Sequence, residues 1–354
     1  MQNKTAIISG ASGQDAILLS QHLLGQGYSV HAMQRRAARP DSRYVLELVK
    51  NPNYHLIQGD ITDFSSIAFA LQSVKPDEFY NLAAQSHVGI SFQEPISTVN
   101  ITGLGVLNCL EAIRKIKPDT HFYQASSSEM FGGTKRECDA SAFISGPDVS
   151  KYHLSIIDEN TPFEPRSPYA CAKVLGHTLT KNYREAYGMH ASCGILFNHE
   201  SELRKTSFVT RKVTAYVAEL DSKLTSGRRF NLPKLKLGCL DFARDWGCAE
   251  DYVRAMHKML QQDKADDYVI ATGEVHTGTR LLELAFSTIG ECWQDWVELD
   301  ANFARPTDVK VLVGNAHKAQ MNLGWKPTRP FSTLISDMIK SDIKIYNEYG
   351  VINE

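Results

Sequence analysis

Tyr169 and Lys173 lie four residues apart in SPYACAK, so on a helix they share one face a single turn from each other. A protonated lysine beside a phenol, with a cationic ring nearby, favours the phenolate and turns a weak acid into a usable base. The spacing alone is common by chance. Its weight comes from position, after the fifth of a series of β-branched or aromatic runs and on the long helix before the sixth. The fifth run ends in QASSSEMFG, residues 124 to 132, which puts hydroxyls and a carboxylate at the carboxyl edge of a sheet, where ligands bind in open α/β folds. Read as continuing strand, residues 127 and 129 point to the same side. Ser127 is assigned to a hydroxyl being oxidised and Glu129 to a second acid/base task; the bland alternative is a solvated serine-rich turn.

A second chemical signal opens the chain. GASGQDA, residues 10 to 16, follows the first apolar run and leads into a helical pattern. Gly10 permits a tight turn, Gly13 lets backbone amides approach a pyrophosphate, and the helix N-terminus offers unpaired N–H groups. Ala16, in the third small position, still allows close packing of helix on strand. The second run ends Met33-Gln34-Arg35-Arg36, without the carboxylate that would hold a ribose 2′-hydroxyl. Arg35 and Arg36 suit a 2′-phosphate, which predicts NADP; the alternative is a pair of solvated charges. Asp60, after the third run, is placed to meet the adenine or simply to close a turn.

The elements that must position these groups alternate. Extended runs are predicted at Thr5–Ser9, Tyr28–Met33, Tyr54–Gln58, Glu78–Leu82, His121–Ser126 and Ser192–Phe197, separated by segments of helical period such as Val106, Leu110 and Ile113. Such alternation implies right-handed crossovers and a parallel sheet covered on both faces, a doubly wound α/β fold. Beyond residue 200 the pattern loosens. Helices are expected at Thr210–Leu220, Ala249–Gln262, 279–289 and 331–347, and extended segments at Lys234–Gly238 and Tyr268–Ala271. The expected organisation is a dinucleotide-binding domain over 1–200, rejoined by about 240–275, and a smaller C-terminal substrate-binding lobe from 201–239 and 276–354.

With 354 residues, 43% of them hydrophobic, the chain can bury a large core. A net charge of −2 without like-charge blocks argues against nucleic acid or a membrane surface as partner, so an anionic substrate must be held by a few placed cations. The seven cysteines are scattered without a CxxC pair, which implies reduced thiols, no metal site and a cytoplasmic setting. Neither a secretory signal nor an uninterrupted apolar run of about 18 residues is expected.

GASGQDA, Arg35-Arg36, NLAAQSHV (81–88), QASSSE, SPYACAK, NYREAYGM (182–189), GILFNHES (194–201), FVTRK (208–212), RDWG (244–247), DYVIATGE (267–274), RPTDV (305–309) and LGWKP (323–327) occur in this order. Together they resemble the GDP-mannose 4,6-dehydratases, extended members of the short-chain dehydrogenase superfamily, from near residue 4 to about 345. The resemblance implies an extended Rossmann fold and a homodimer or homotetramer meeting partly through the loop after Arg36. It implies cofactor contacts at Gly10, Ala11, Ser12, Gly13, Gln14 and Asp15, at Arg35 to Ala38, Asp60, Ile61, Leu82, Ala83, Ala84 and Ser86, and at Lys173, His199 and Arg204. Substrate contacts fall on Ser86, Asn198, Lys212, Arg244 and Arg305, of which the ammonium and the two guanidiniums suit a sugar diphosphate; surface ion pairs are the cheaper explanation.

The chain departs from the family pattern in places. Ser127 stands for threonine, Ala16 for the third glycine and Ser97 for a tyrosine; Cys239 and Cys248 flank RDWG in place of polar residues, and Glu202 and Leu203 replace Pro and Arg. Insertions within about 133–160 and 221–234 bear on which sugar is bound. GDP-mannose is expected, with a GDP-manno-heptose as rival. Further rivals are a 4-epimerase or 4-keto reductase of a nucleotide sugar, which need no Glu129, and a non-catalytic NADP sensor.

Overall fold

The computed structural model describes residues 4–35, 43–134, 156–226, 232–300 and 311–352. Seven strands form one parallel sheet: β1 (Thr5–Ser9), β2 (Ser29–Gln34), β3 (Tyr54–Gln58), β4 (Glu78–Asn81), β5 (His121–Ser127), β6 (Ala191–Leu196) and β7 (Asp267–Ile270). Their order is 3-2-1-4-5-6-7. Each lies within one residue of its predicted run. The order reverses between β1 and β4, so the crevice outside their carboxyl ends is the place for a ligand.

Alternation along each strand feeds two cores. Ala6 and Ile8 of β1 face one apolar layer, with α1 (Gln14–Gly25), while Ile7 faces the other, with α2 (Phe64–Val74) and α3 (Gly105–Ile116). Burying each such isoleucine stabilises the fold by roughly 1.5–3 kcal/mol. Helix α4 (Pro168–Tyr187) carries the Tyr-x-x-x-Lys pair. Ser167 Oγ accepts from Ala170 N at 3.1 Å, Pro168 occupies the first turn, and Gly188 ends the helix at φ +66°.

The helical run Pro95–Ile116 is long and apolar enough to pass for a membrane span, but half of its apolar window is buried inside the fold. Its middle, Asn100–Leu104, is a π-helical turn. There Thr102 Oγ1 accepts from Gln85 N at 3.1 Å, and Thr98 Oγ1 accepts from Gln85 Nε2 at 3.0 Å, which ties down the segment leaving β4.

The chain after β6 enters a second core and leaves it twice. Helices α5 (Val209–Thr225), α7 (Gly278–Ser287) and α8 (Phe331–Tyr349) enclose Val213, Leu282, Trp246 and Ile335, with Trp246 stacked on Phe331 at 5.2 Å. Helix α6 (Ala249–Leu260) returns to pack with α1, and β7 completes the sheet. Ala319, Leu323 and Trp325, from the segment expected in the lobe, pack into the α1 core. A small sheet of His276–Thr277, Ala243–Arg244, Val311–Gly314 and Ile156–Ile157 accompanies the lobe; no sequence pattern anticipates strands so short.

Asp245 joins these segments. Fully buried, it accepts from Thr272 Oγ1 (2.6 Å), Thr272 N (2.9 Å), Gly273 N (3.0 Å) and Gly314 N (3.2 Å). Burial pushes its pKa up to about 6 in spite of these donors. Asp245→Ala strands several buried donors at once and is expected to lower the unfolding free energy by about 3 kcal/mol or more in denaturant titration, with Asp245→Asn intermediate.

Candidate active site

The turn after β1 is built for close approach. Gly10 has φ +81°, and a Cβ there would lie 3.1 Å from the backbone of Ala83, so only glycine fits. Gly13 precedes α1 with no side-chain cap on the helix N-terminus, which leaves its amides for an anion. Polar links level the strand ends behind it. Ser9 Oγ donates to Asn81 Oδ1 (2.7 Å) and accepts from Leu82 N and Ala83 N (3.0 Å each), and Asn81 Nδ2 donates to Gln124 Oε1 (2.8 Å). These uncapped amides and the glycine cradle fit a dinucleotide pyrophosphate.

The first turn of α1 is also charged. His199 Nε2 lies 2.9 Å from Asp15 Oδ2, its Nδ1 lies 2.7 Å from the Phe197 carbonyl, and its ring stacks on Tyr252. Burial opposes both charges. The ion pair outweighs it, holding Asp15 at about 2 and raising His199 above its ordinary 6.5.

At the end of β5 three consecutive residues meet α4. Ser127 lines the same cavity as the Tyr169 phenol and favours its charged form. Lys173 Nζ, buried, donates to the Ala125 carbonyl at 2.7 Å, and Ser126 Oγ lies 3.0 Å from His177 Nδ1. Burial pushes the Tyr169 phenol up to about 12; Ser127 works against that shift and the Glu129 charge adds to it. Burial lowers Lys173 to about 8. The expected activation of the phenol by the lysine is therefore not produced by a direct bond between them: the ammonium sits 5.7 Å from the ring centroid.

Glu129 reaches the site by a different route from the predicted one. β5 stops at Ser127, whose Oγ accepts from Glu129 N at 3.3 Å and starts a 3-10 turn, Ser128–Phe131. Strand alternation thus does not apply to residue 129. The turn nevertheless brings its side chain to the same cavity as Ser127, Tyr169 and Lys173, near enough for its charge to act on the phenol.

That cavity measures about 940 Å³ and runs from the glycine turn to the lobe, where Asn198, Lys212 and Arg244 line it. Lys212 Nζ donates to the Lys236 carbonyl at 2.7 Å and is lowered by burial; Arg244 Nη1 donates to the Ala243 carbonyl at 2.9 Å. The Arg204 guanidinium lies 3.8 Å over the Phe208 ring and 3.4 Å from Glu200.

The profile of the family described as GDP-mannose 4,6 dehydratase matches residues 7–338. The chain is 43% identical to GDP-mannose 4,6 dehydratase 1 of Arabidopsis thaliana, covering 99% of this chain and 92% of that one. It is 37% identical to the GDP-mannose 4,6-dehydratase of Vibrio cholerae, covering 99% and 96%. The chain belongs to the GDP-mannose 4,6-dehydratase family. Solved structures of like fold include UDP-glucose 4-epimerase of Thermotoga maritima with UDP-glucose (TM-score 0.79, 19% identity, 96% and 99% covered). Another is dTDP-glucose 4,6-dehydratase of Bacillus anthracis with NAD (TM-score 0.78, 17% identity, 99% and 100% covered).

In this GDP-mannose 4,6-dehydratase family member the cavity gathers Gly10, Gly13, Gln14, Asp15, Leu82, Ala84, Ser86, Lys173, His199 and Arg204 from the cofactor set, and Ser86, Asn198, Lys212 and Arg244 from the substrate set. Others stand apart from it. Ser12 and Arg35 are exposed outside the cavity wall, and Ala83 contributes only backbone behind Gly10. Asp60 Oδ1 accepts from Thr62 N and Oγ1, a turn role, and Ile61 packs beneath Gly105. Arg36, Ala37, Ala38 and Arg305 lie outside the described residues, as does most of the insertion within 133–160.

Sequence reasoning missed Asn81, Gln124, Ser201 and His177. Ser201 Oγ donates to Gln14 Oε1 at 2.8 Å and so locks the first helical residue. The available signal was a polar residue ending an apolar strand. In NMR titration the His199 imidazole should titrate above its ordinary 6.5; Asp15→Asn should drop it below, because burial and the Arg204 charge then oppose only the Phe197 carbonyl. The Asp15 contribution to stability, present above about 3.8, should fade as pH drops through about 2, and the His199 contribution should fade as pH rises through its raised pKa.

Proposed function

We propose that this enzyme removes water from GDP-mannose to give GDP-4-keto-6-deoxymannose, with NADP as its recycled dinucleotide. The observation that carries the reading is the sharing of one cavity by Ser127, Tyr169, Lys173 and the additional carboxylate of Glu129. Oxidation alone needs the first three; elimination needs the fourth. Hydro-lyase activity on a nucleotide sugar is what family membership assigns to the chain.

The dinucleotide supplies a hydride acceptor at sugar carbon 4 and a hydride donor at carbon 6. Gly10, Gly13 and the first turn of α1 would hold its pyrophosphate. Ser127 holds the carbon 4 oxygen. Burial alone favours the neutral phenol, and the cationic ring of a bound dinucleotide would favour the phenolate. In that form Tyr169 takes the carbon 4 hydroxyl proton as that carbon becomes a ketone. Lys173 sets charge beneath the pair while its own bond to the Ala125 carbonyl fixes its position. The ketone acidifies carbon 5. Glu129 accepts the carbon 5 proton and gives a proton to the departing carbon 6 hydroxyl, so one water leaves and the carboxylate is restored. The product keeps its carbon 4 ketone, so the proton that Tyr169 took is the one to be delivered at carbon 5 as carbon 6 is reduced. Lys212 and Arg244 neutralise the diphosphate at the lobe end of the cavity. The assembly is proposed to be a homodimer or homotetramer.

Glu129→Gln should cut loss of water by about a hundredfold or more while carbon 4 oxidation persists, seen as reduced dinucleotide accumulating in single-turnover absorbance. Incubating the enzyme with GDP-mannose and a GDP-manno-heptose, and weighing each product for loss of one water, decides between the two sugars. Calorimetry should find NADP bound more tightly than NAD. Replacing Arg35 and Arg36 by alanine should remove most of that difference, about 1.5–3 kcal/mol.

A further inference from the structure

The wall of the cavity formed by β5 is held to α4 by a repeating contact. Residues 127, 125 and 126 face residues 169, 173 and 177, which recur every four positions on one helix face: Ser127 in the same cavity as Tyr169, the Ala125 carbonyl with Lys173 Nζ at 2.7 Å, and Ser126 Oγ with His177 Nδ1 at 3.0 Å. The first two contacts involve groups that would touch substrate or support the phenol. His177, the partner in the third, does not line the cavity, and no role in the reaction read above accounts for it.

His177 is buried, with the Phe163 ring edge-on against it at 5.0 Å, so it has little freedom to turn. Its Nε2 faces Asp267 Oδ2 at 3.8 Å. Asp267 is in turn gripped by Arg184, with Nη1 to Oδ1 at 2.9 Å and Nη2 to Oδ2 at 2.8 Å, and Arg184 Nη1 also donates to the Ala191 carbonyl at 2.8 Å. Arg184 is seven residues after His177 on the same stripe of α4. The carboxylate favours a proton on Nε2, which leaves Nδ1 as the acceptor for the Ser126 hydroxyl. Cys193 Sγ completes a His-Cys-Asp group whose ligand atoms lie within 4.8 Å of one another. The guanidinium already paired with Asp267 opposes a cation there, so the cluster is read as a brace and not as a metal site.

We propose that His177 is a positioning residue for the dehydratase reaction: braced by Asp267 and Arg184, it holds Ser126 and thereby keeps the end of β5 in register with Tyr169 and Lys173. Ser126 sits between the residue that presents its carbonyl to the lysine and the residue that shares the cavity with the phenol. A shift of the strand end would displace both contacts at once. The inference rests on the roles proposed above for Ser127, Tyr169 and Lys173.

The test is steady-state kinetics of the full-length enzyme carrying His177→Phe, Ser126→Ala, both changes together, His177→Asn or Tyr169→Phe. His177→Phe should lower kcat by roughly ten- to a hundredfold with KM for GDP-mannose and the dinucleotide Kd within about twofold, as expected when reacting groups are misplaced without loss of binding. Ser126→Ala should do the same, and the double variant should be no worse than either single one, because the two side chains act through one contact. His177→Asn, whose amide oxygen can accept from Ser126, should recover most of the loss. Multiplying losses in the double variant, wild-type kcat in His177→Phe, or no recovery with asparagine would overturn the proposal. Should His177→Phe fail to fold, Ser126→Ala and His177→Asn still decide it: wild-type kcat in Ser126→Ala refutes the brace. Full activity in Tyr169→Phe would instead refute the catalytic reading on which the inference stands.

Discussion

The hydroxyl of Ser9 is the constraint on which the site depends. It donates to Asn81 and accepts two backbone amides from the chain leaving β4, at the point where the strand order reverses. A parallel sheet diverges there and opens a crevice, and the crevice would leave Leu82 N and Ala83 N without partners. Ser9 satisfies both. In doing so it draws the Ala83 backbone against Gly10, and the position then tolerates no side chain. Through Asn81 and Gln124 the same tie reaches β5, so the dinucleotide turn and the strand end bearing Ser127 are parts of one hydrogen-bonded edge.

Electrostatics inside the cavity follow from burial more than from pairing. Tyr169 and Lys173 are both moved toward their neutral forms by loss of water, the phenol upward and the ammonium downward. Asp15 and His199 are also buried, but each has the other within 2.9 Å and both are moved toward their charged forms. The cavity therefore carries an end under α1 where charge is favoured and a centre where burial favours the neutral phenol, with Glu129 beside it.

The seven sheet strands were legible because buried parallel strands are short, apolar and bounded by turns, and their pattern owes little to distant partners. The glycine turn was legible for a similar reason: Gly10 and Gly13 answer a local backbone demand. Glu129 reached the expected cavity by a route that alternation cannot express, since the 3-10 turn depends on Ser127 capping it. The lobe resisted reading beyond its longer helices. Its two-residue strands exist only through partners tens of residues away, and Asp245 gives no hint in sequence that it will gather amides from residues 272, 273 and 314. Nothing in the sequence singles out His177, and only the fold puts Ser126 and Asp267 on either side of it.

The seat of Lys173 is a main-chain oxygen, and this has a consequence for how the enzyme can vary. Every residue type at position 125 brings the same carbonyl, so exchange of that side chain cannot by itself delete the acceptor. Sensitivity to inherited change is displaced from the contact to whatever keeps the strand end still, and substitutions far from the sugar can silence the lysine while leaving its own neighbours intact.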